Sequence, residues 1–500
     1  MNNFARIVAM RKPIEGQIRL GETDISNLVF DPKSRDDIPQ LLRGLQSVYC
    51  NPKLRAEVFA ILERRLGLSD KGRPGLSLWQ VFVLAMLRAN CAWDYDRLKN
   101  MADHHDDIRA MLGIGAWDLQ TRFPLQTLKD NVHLLTEEAL VEIGAVAARA
   151  GQSLLKKKAA VDGRCDSFVV ETDVHYPTDA TLLWDAVRKL VTLTARLADD
   201  LGLPGWRQWA HQLKELRKLL RTCQSVRHST SKDEAKREAQ AGRLLAAVDD
   251  YVAKAVELVV KAKGALDAVT CPDLATMALV GEIERFVGFA DHQAALVQRR
   301  CLQGEAIPHA EKLFSLFEPD TEWISKGKAG VPQELGLRVC VLQDQFGHIL
   351  AHKVMVGRLD VDVAVEMVER AKAACPELRS CSFDKGFWSP ENLARLEELL
   401  DLVVLPRKGR ATGADKERES SLEFIKARRA HSAVESDINA LGRHGLDRCY
   451  DHGLEGFKRH VAMAVTARNF QKLGDTLQRQ EVEWLRRSEA IKAGLAKRAA

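Results

Sequence analysis

The stretch that most narrows the fold of this chain is 378–406, LRSCSFDKGFWSPENLARLEELLDLVVLP. A short apolar run leads to leucines at helical spacing and then to a second apolar run. Strand, helix, strand at this length is the smallest parallel βαβ unit. The fold must therefore hold at least two parallel strands with a helix covering one face. Ser389 is placed to cap that helix, Pro390 to take its first turn, and Leu393, Leu396 and Leu400 to face the sheet. Asp384 then stands at the C-terminal end of the first strand, the edge at which open α/β sheets bind ligands. The plain alternative is an aspartate that only helps a turn.

The preceding portion is also β-rich. LRVCVLQDQFGHILAHKVMVG (337–357) has two apolar runs about a polar QDQFGH turn and predicts a hairpin. VDVAVEMVERAKAA (361–374) is an amphipathic helix. Further upstream, SFVVET (167–172) is a short β-branched strand preceded by Asp166.

The remainder is helical. Within 36–150, LSLWQVFVLAMLRAN follows the Gly/Pro turn KGRPG. CAWDYDRLKNMADHHDDIRAMLG follows with Asp94 as its cap and Leu98, Met101, Ile108 and Leu112 as its apolar positions. Helices this short suit a helix-turn-helix reader of DNA, and equally a small bundle with no partner. Residues 185–300 return to helix, with a polar break at HSTSKDEAKRE (228–238).

Two further acidic positions accompany Asp384. In KARRAHSAVESDINALGRHG (426–445), Val434, Ile438 and Leu441 form a buried stripe bordered by Glu435. Arg428 and His431 precede Glu435 by seven and four positions, on one helical face. In GRCDSFVVETDVHYPTD (163–179), Asp166 borders the strand, with Asp162, Glu171, Asp173 and Asp179 nearby. Carboxylates on separate elements are raw material for a magnesium site, because Mg²⁺ takes oxygen ligands and is often held by a few carboxylates plus substrate phosphate. The competing interpretation of the 426–445 segment is an exposed, salt-bridged helix.

From about 160 to 470 the chain resembles the DDE transposases of bacterial insertion sequences, particularly the ISNCY group. The resembling stretches are GRCDSFVVETDVHYPTDATLLWDAVR, WISKGKAGVPQELGLRV, CSFDKGFWSPENLARL and RRAHSAVESDINALGRHGLDRCYDHGLEGFKRHVAMAV. The resemblance implies an RNase H-like catalytic core, a divalent metal (Mg²⁺, with Mn²⁺ able to substitute), and cutting and joining of DNA at element ends. It makes Asp384 the second acid, Glu435 the third and Asp166 the first, with Asp162 and Asp173 as rivals. Many relatives carry Tyr, Arg, Glu and Lys at fixed offsets around the third acid. Here the Tyr, Arg and Lys positions hold Arg428, His431 and Gly442, with Arg443 one residue beyond. The basic character survives without the tyrosine, so a hairpin intermediate at the cut end does not carry over.

The expected fold is α/β: an RNase H-like mixed sheet with flanking helices, interrupted by a helical insertion, plus an all-α N-terminal domain. The layout is a DNA-binding or assembly domain over 1–155, core over 156–185, insertion over 186–305, core over 306–475, and a basic tail over 476–500. The net charge of +5 is mild for 500 residues, but 206–243 hold ten Lys/Arg against four Asp/Glu, and 476–500 hold six against three. Such segments can clamp DNA through phosphate or be solvated helices. Trp206 and Trp209 read as core. The expected DNA contacts are Arg428, Arg429, His431, Arg443, Lys326, Lys328 and His175.

The expected partners are duplex DNA, as terminal inverted repeats and target, and a second copy of the chain on paired ends. Ten scattered cysteines without a zinc spacing, no signal peptide and no apolar run of membrane length place the chain in a cytoplasm, with no membrane partner, and the resemblance implies a bacterial, nucleoid-associated one. Two other classes remain: a nuclease that cuts without joining, and a DNA-binding relative with an inactive site.

Overall fold

The computed structural model describes residues 9–10, 12–14, 23–67, 73–154, 160–227, 233–270, 272–325, 333–410 and 412–499. It forms two compact units, Met1–Asp173 together with Ile324–Ala500, and Val174–Trp323.

The first unit is built on a mixed sheet. Its central strand, β1 (Val161–Thr172), is longer than the 167–172 expected. β2 (Gln333–Asp344) pairs antiparallel along it, from Gly163↔Asp344 to Glu171↔Gly336. β3 (Ile349–Met355) pairs antiparallel with β2, which makes the expected hairpin. On the other side β4 (Leu378–Phe383) runs parallel to β1, and β5 (Leu402–Val404) runs parallel to β4. β6 (Arg448–Cys449) joins the far end of β1. The resulting order is β3-β2-β1-β4-β5. Partners on both sides extend β1 to twelve residues, so Asp166 lies mid-strand rather than at a strand edge. At Gly163 a Cβ would stand 3.1 Å from the Ser380 carbonyl oxygen and 3.1–3.2 Å from Leu378 and Leu342 side-chain atoms, so any larger residue there would press its neighbours apart by a few tenths of an ångström.

Each sheet face has its own core, as the period-two alternation of a strand demands. Cys165, Cys340, Leu342 and Cys381 pack with Met367, Val368, Leu396 and Leu400. Val170, Val339 and Val341 pack on the other face with Leu441, Phe457, Val461 and Val465.

Among its described residues the N-terminal region, expected to be all-α, holds a two-residue parallel strand pair, Ala9–Met10 with Arg73–Pro74, and seven α-helices: α1 (Asp37–Cys50), α2 (Pro52–Leu66), α3 (Leu78–Asn90), α4 (Tyr95–His104), α5 (Asp106–Met111), α6 (Leu125–Val132) and α7 (Glu137–Ser153). Ser77 and Gln80 form a capping box on α3, and Asp94 caps α4. The segment read as one helix across 94–112 is two, broken at His105, which accepts from the Ile108 N–H at the start of α5.

These helices share one core with the C-terminal helix through Phe82, Leu140, Ile143, Met463, Phe470 and Leu473. That helix runs unbroken over Gly453–Ala499, across the expected boundary at 476. Ideal Cβ atoms at Gly44 and Gly474 would stand 2.0 Å and 1.8 Å from the carbonyl oxygens of Phe470 and Gln40, so the two helix backbones touch. Buried Asn469 accepts from the Ile349 N–H and donates to the carbonyls of Ile349 and Gly144, which ties helix, edge strand and α7 together. The N-terminal helices thus belong to the same compact unit as the sheet.

The second unit is helical: α8 (Asp179–Leu201), α9 (Trp209–Arg227), α10 (Glu234–Asp267) and α11 (Leu274–Val297). Trp206 is buried in its core and Trp209 packs partly against it. Tyr251 is fully buried, and its hydroxyl donates to the Ala180 carbonyl.

Back in the first unit, four helices complete the sheet's surroundings: α12 (Ala364–Ala374), α13 (Pro390–Leu399), α14 (Gly413–Ser420) and α15 (Leu422–His431). α16 (Ala433–Leu441) and the long helix, α17, follow. Among the described residues no helix is long and apolar enough to cross a membrane, and the described cysteines are free thiols.

Candidate active site

β4 ends at Phe383, opposite Cys165 of β1. One step further along both strands come Asp384 and Asp166. The chain then leaves the sheet through a short 3₁₀ turn, Lys385–Phe387, and enters α13. Ser389 accepts from the Asn392 N–H at 3.0 Å, and Pro390 takes the first helical position. Asp384 is exposed at the carboxyl end of a parallel strand, where the βαβ pattern puts it.

Glu435 lies in the first turn of α16 with its side chain exposed. Val434 and Leu441 of the same helix are buried and Ile438 packs partly against the core, which orients the helix as the apolar stripe requires. His431, at the end of α15, brings Nδ1 within 3.0 Å of the Ser382 hydroxyl on β4.

The electrostatics report which carboxylates share a region. The Asp166 carboxyl is pushed up to about 6, first by burial, then by the charges of Asp384, Asp360 and Glu435. The Ser167 N–H, 2.8 Å from Asp166 Oδ1, opposes the rise. Like charges in a partly desolvated site disfavour ionisation in this way. His431 is pushed down, chiefly by burial; Asp384 and Glu435 pull it up and Arg164 pushes it down. Asp384 and Glu435 thus lie near enough to both Asp166 and His431 for their charges to act on them. Among the described residues, no three acidic, histidine or cysteine side chains close round a single point.

The rival first acids sit elsewhere along the strand's path. Asp162, four residues before Asp166, accepts from the Ser380 hydroxyl at 2.6 Å and faces Arg379 at 3.6 Å. Asp173, beyond the other end, faces Arg448 at 3.7 Å. Glu171 pairs with the same arginine at 2.7 Å. Neither rival is among the largest influences on Asp166.

Arg428 and Arg429 are exposed on α15, and Arg443 is exposed just after α16. His175 lies in the second unit, where Asp185 holds it at 2.5 Å and pulls its pKa up. Lys326 and Lys328 lie outside the described residues.

Asp360 is the acidic residue that sequence reasoning missed. It begins a 3₁₀ turn ahead of α12, where an aspartate before an amphipathic helix looks like an ordinary cap. Its Oδ1 accepts from the Ser167 hydroxyl at 2.6 Å. An ideal Cβ on Gly386 would stand 2.9 Å from its Oδ2. The turn is held in place by Asn392, which donates to the Val361 carbonyl at 2.7 Å. Only the approach of that turn to β1 and to the loop after Asp384 makes Asp360 a neighbour of the site.

Comparison with known proteins finds no matching family model, no matching curated protein and no matching solved structure.

Proposed function

We propose that this chain is a DDE-type transposase that binds the ends of an insertion sequence and catalyses metal-dependent DNA cleavage and strand transfer. The observation that carries this reading is that Asp384 and Glu435 lie near enough to Asp166, at the carboxyl end of a parallel strand pair, for their charges to act on it. The mixed sheet, with helices on both faces and a helical unit inserted after its first strand, supports reading the core as RNase H-like.

The donor set fits a hard divalent cation. It offers carboxylate oxygens, and a cation would offset both the burial and the neighbouring acidic charges that raise Asp166. Asp166, Asp384 and Glu435 would hold Mg²⁺, or Mn²⁺ in its place. When bound, the metal would activate the attacking oxygen and stabilise the leaving one. The chain's own contribution is positional. The Ser167 N–H holds Asp166 Oδ1, β4 presents Asp384, and the buried stripe of α16 fixes Glu435. Burial favours neutral His431, which can bond Ser382 without competing for the acids as a cation.

Arg428, Arg429 and Arg443 are the nearby cations in sequence for backbone phosphate, and Lys326, Lys328 and His175 extend that set. The N-terminal helices recognise the element's end sequence. Because they share a core with α17, point substitutions on their exposed faces test this role better than deletion does. Two copies act on paired ends, in the cytoplasm.

The test is a DNA fragment carrying the element end, assayed for Mg²⁺-dependent cleavage and joining beside a gel shift. Wild-type protein is expected to cut and join. Asp384→Asn is expected to bind the fragment and do neither. Cutting without joining would make the chain a nuclease, and full activity of Asp384→Asn would remove the mechanism.

A further inference from the structure

Successive pairs of side chains share one face of β1 and β4. Asp162 and Ser380 form the first pair and Arg164 and Ser382 the second. Asp166 and Asp384 follow on the same face, because strand side chains alternate with a period of two. α16 packs on that face through Leu441 and Ile438, and His431 of α15 brings Nδ1 within 3.0 Å of the Ser382 hydroxyl. Arg164 is half-buried and has an aspartate two residues away on either side, yet it pairs with neither. Asp162 accepts from Ser380 and faces Arg379, and Asp166 takes the Ser167 N–H. Among the described residues the Arg164 side chain has no hydrogen-bond or ion-pair partner, and its nitrogens are not sealed from solvent. Its charge acts on His431, and it is not among the largest influences on Asp166. The guanidinium is thus on the acids' face of the sheet, beside His431, without being bound to the acids.

We infer that Arg164 binds a backbone phosphate of the DNA strand on which the acids act, next to the bond that is cut. This rests on the transposase reading for the identity of the bound polymer, whereas the unpaired cation on the acids' face stands by itself. An arginine does not give up its charge, and its planar fork of N–H donors matches the oxygens of a phosphate. Two residues of strand, about 6.7 Å, separate it from Asp166, so a phosphate it holds lies beside the acids and not over them. Carboxylates repel a polyanion at short range. A permanent cation on the same face offsets that repulsion where the strand must approach. His431 does not supply it, because burial favours the neutral ring. Arg428 and Arg429 stand on α15 and Arg443 just after α16, on the covering helices. Arg164 instead belongs to the central strand, where the ladder that pairs it with Gln343 also pairs Asp166 with Val341. One ladder therefore fixes both the cation and the first acid, which suits a contact that sets the register of the DNA strand against the acids.

The test uses the full-length protein and element-end duplexes in which one phosphate at a time near the cut is replaced by an uncharged methylphosphonate. Binding is read by gel shift without Mg²⁺, over a series of salt concentrations. At one position adjoining the cut, the replacement is expected to weaken wild-type binding several-fold and to leave Arg164→Gln unchanged, because that variant has already lost the contact. Loss of one phosphate contact lowers the slope of log affinity against log salt by about 0.9. Arg164→Gln should show that drop on the unmodified duplex, and Arg164→Lys, which keeps the charge, should not. No sensitive position adjoining the cut in wild-type protein would overturn the inference. So would equal weakening of wild type and Arg164→Gln at every position, or a wild-type salt slope in Arg164→Gln of unchanged melting temperature. Wild-type protein that cleaves with Mg²⁺ and has no Arg164-dependent position would overturn the contact and leave the transposase reading standing. An Arg164-dependent position in wild-type protein that never cleaves would uphold the contact and remove the transposase reading.

Discussion

Two positions on β1 carry the same residue type in opposite circumstances. Asp162, at the entry, accepts from Ser380 and faces Arg379. Asp166, two periods of the alternation further on, has its carboxyl pushed up first by burial; it takes an N–H from Ser167 and meets the charges of Asp384, Asp360 and Glu435. One carboxylate is compensated by the fold. The other is left in a field of its own sign. Uncompensated repulsion costs stability, and sites that bind cations are where a fold has reason to carry it. Proximity in sequence says nothing about this difference, because the neighbours that decide it come from β4, α16 and the turn before α12.

The largest expected effects are on chemistry. Asp384→Asn, Glu435→Gln and Asp166→Asn should each lower Mg²⁺-dependent cleavage by orders of magnitude, since each removes charge that a hard cation prefers. Gel-shift affinity should hold or improve, because phosphate contacts come from Lys and Arg. Asp162→Asn and Asp173→Asn should stay within a few fold of wild type. A dead Asp162→Asn beside an active Asp166→Asn would reverse the comparison.

Stability should move the other way at Asp166. With its carboxyl raised from 3.8 to about 6, Asp166 costs the native state about 3 kcal/mol at neutral pH, since a tenfold change in a proton-binding equilibrium corresponds to roughly 1.4 kcal/mol. Asp166→Asn should therefore raise stability by up to that amount in urea titrations at pH 7. Because the folded value lies above the unfolded one, native Asp166 is at no disadvantage below pH 3.8. The disadvantage grows as the pH rises from there to about 6 and levels off above it. The gain from Asp166→Asn should accordingly shrink on acidification between those values. A gain that is constant with pH would show that the penalty on the charged carboxyl, from burial and then from its acidic neighbours, is not its source.

Mg²⁺ without DNA gives a further handle. A ligand that binds only the folded state stabilises it by about 2.7 kcal/mol at roughly one hundred times its dissociation constant. Wild-type protein should gain stability in Mg²⁺ titrations followed by thermal melting. Asp166→Asn should gain less, and Asp162→Asn as much as wild type. Equal gains in all three would mean that the ion binds elsewhere.

The smallest expected effect is the stability of Asp162→Asn. Its partly exposed ion pair should cost no more than about 1 kcal/mol when lost. The expected sign is opposite to that of Asp166→Asn, and urea titration of the two variants side by side reads it.

Much of the architecture was legible in local pattern. The βαβ unit, the Ser389 cap with Pro390, the hairpin at 337–357, α3 and the apolar stripe of α16 all follow from periodicity and capping chemistry, which act over a few residues. So did the position of Asp384, because a strand's end and a helix's cap are both local signals. The full length of β1 was hidden, since its first half is extended by pairing with β2 and β4 rather than by its own composition. The union of the N-terminal helices with the sheet was hidden as well. It depends on Asn469 reaching Ile349 and Gly144, and on glycines at the contact of α1 with α17. Asp360 looked like a cap and became a neighbour of Asp166 only through the turn that Asn392 holds. By itself, the sequence determined the segments that propensity and period can specify, with Asp384 at its strand end. Tertiary structure alone decided which carboxylates lie together, because electrostatic coupling depends on separation in space and on burial, both of which pairing between distant segments sets.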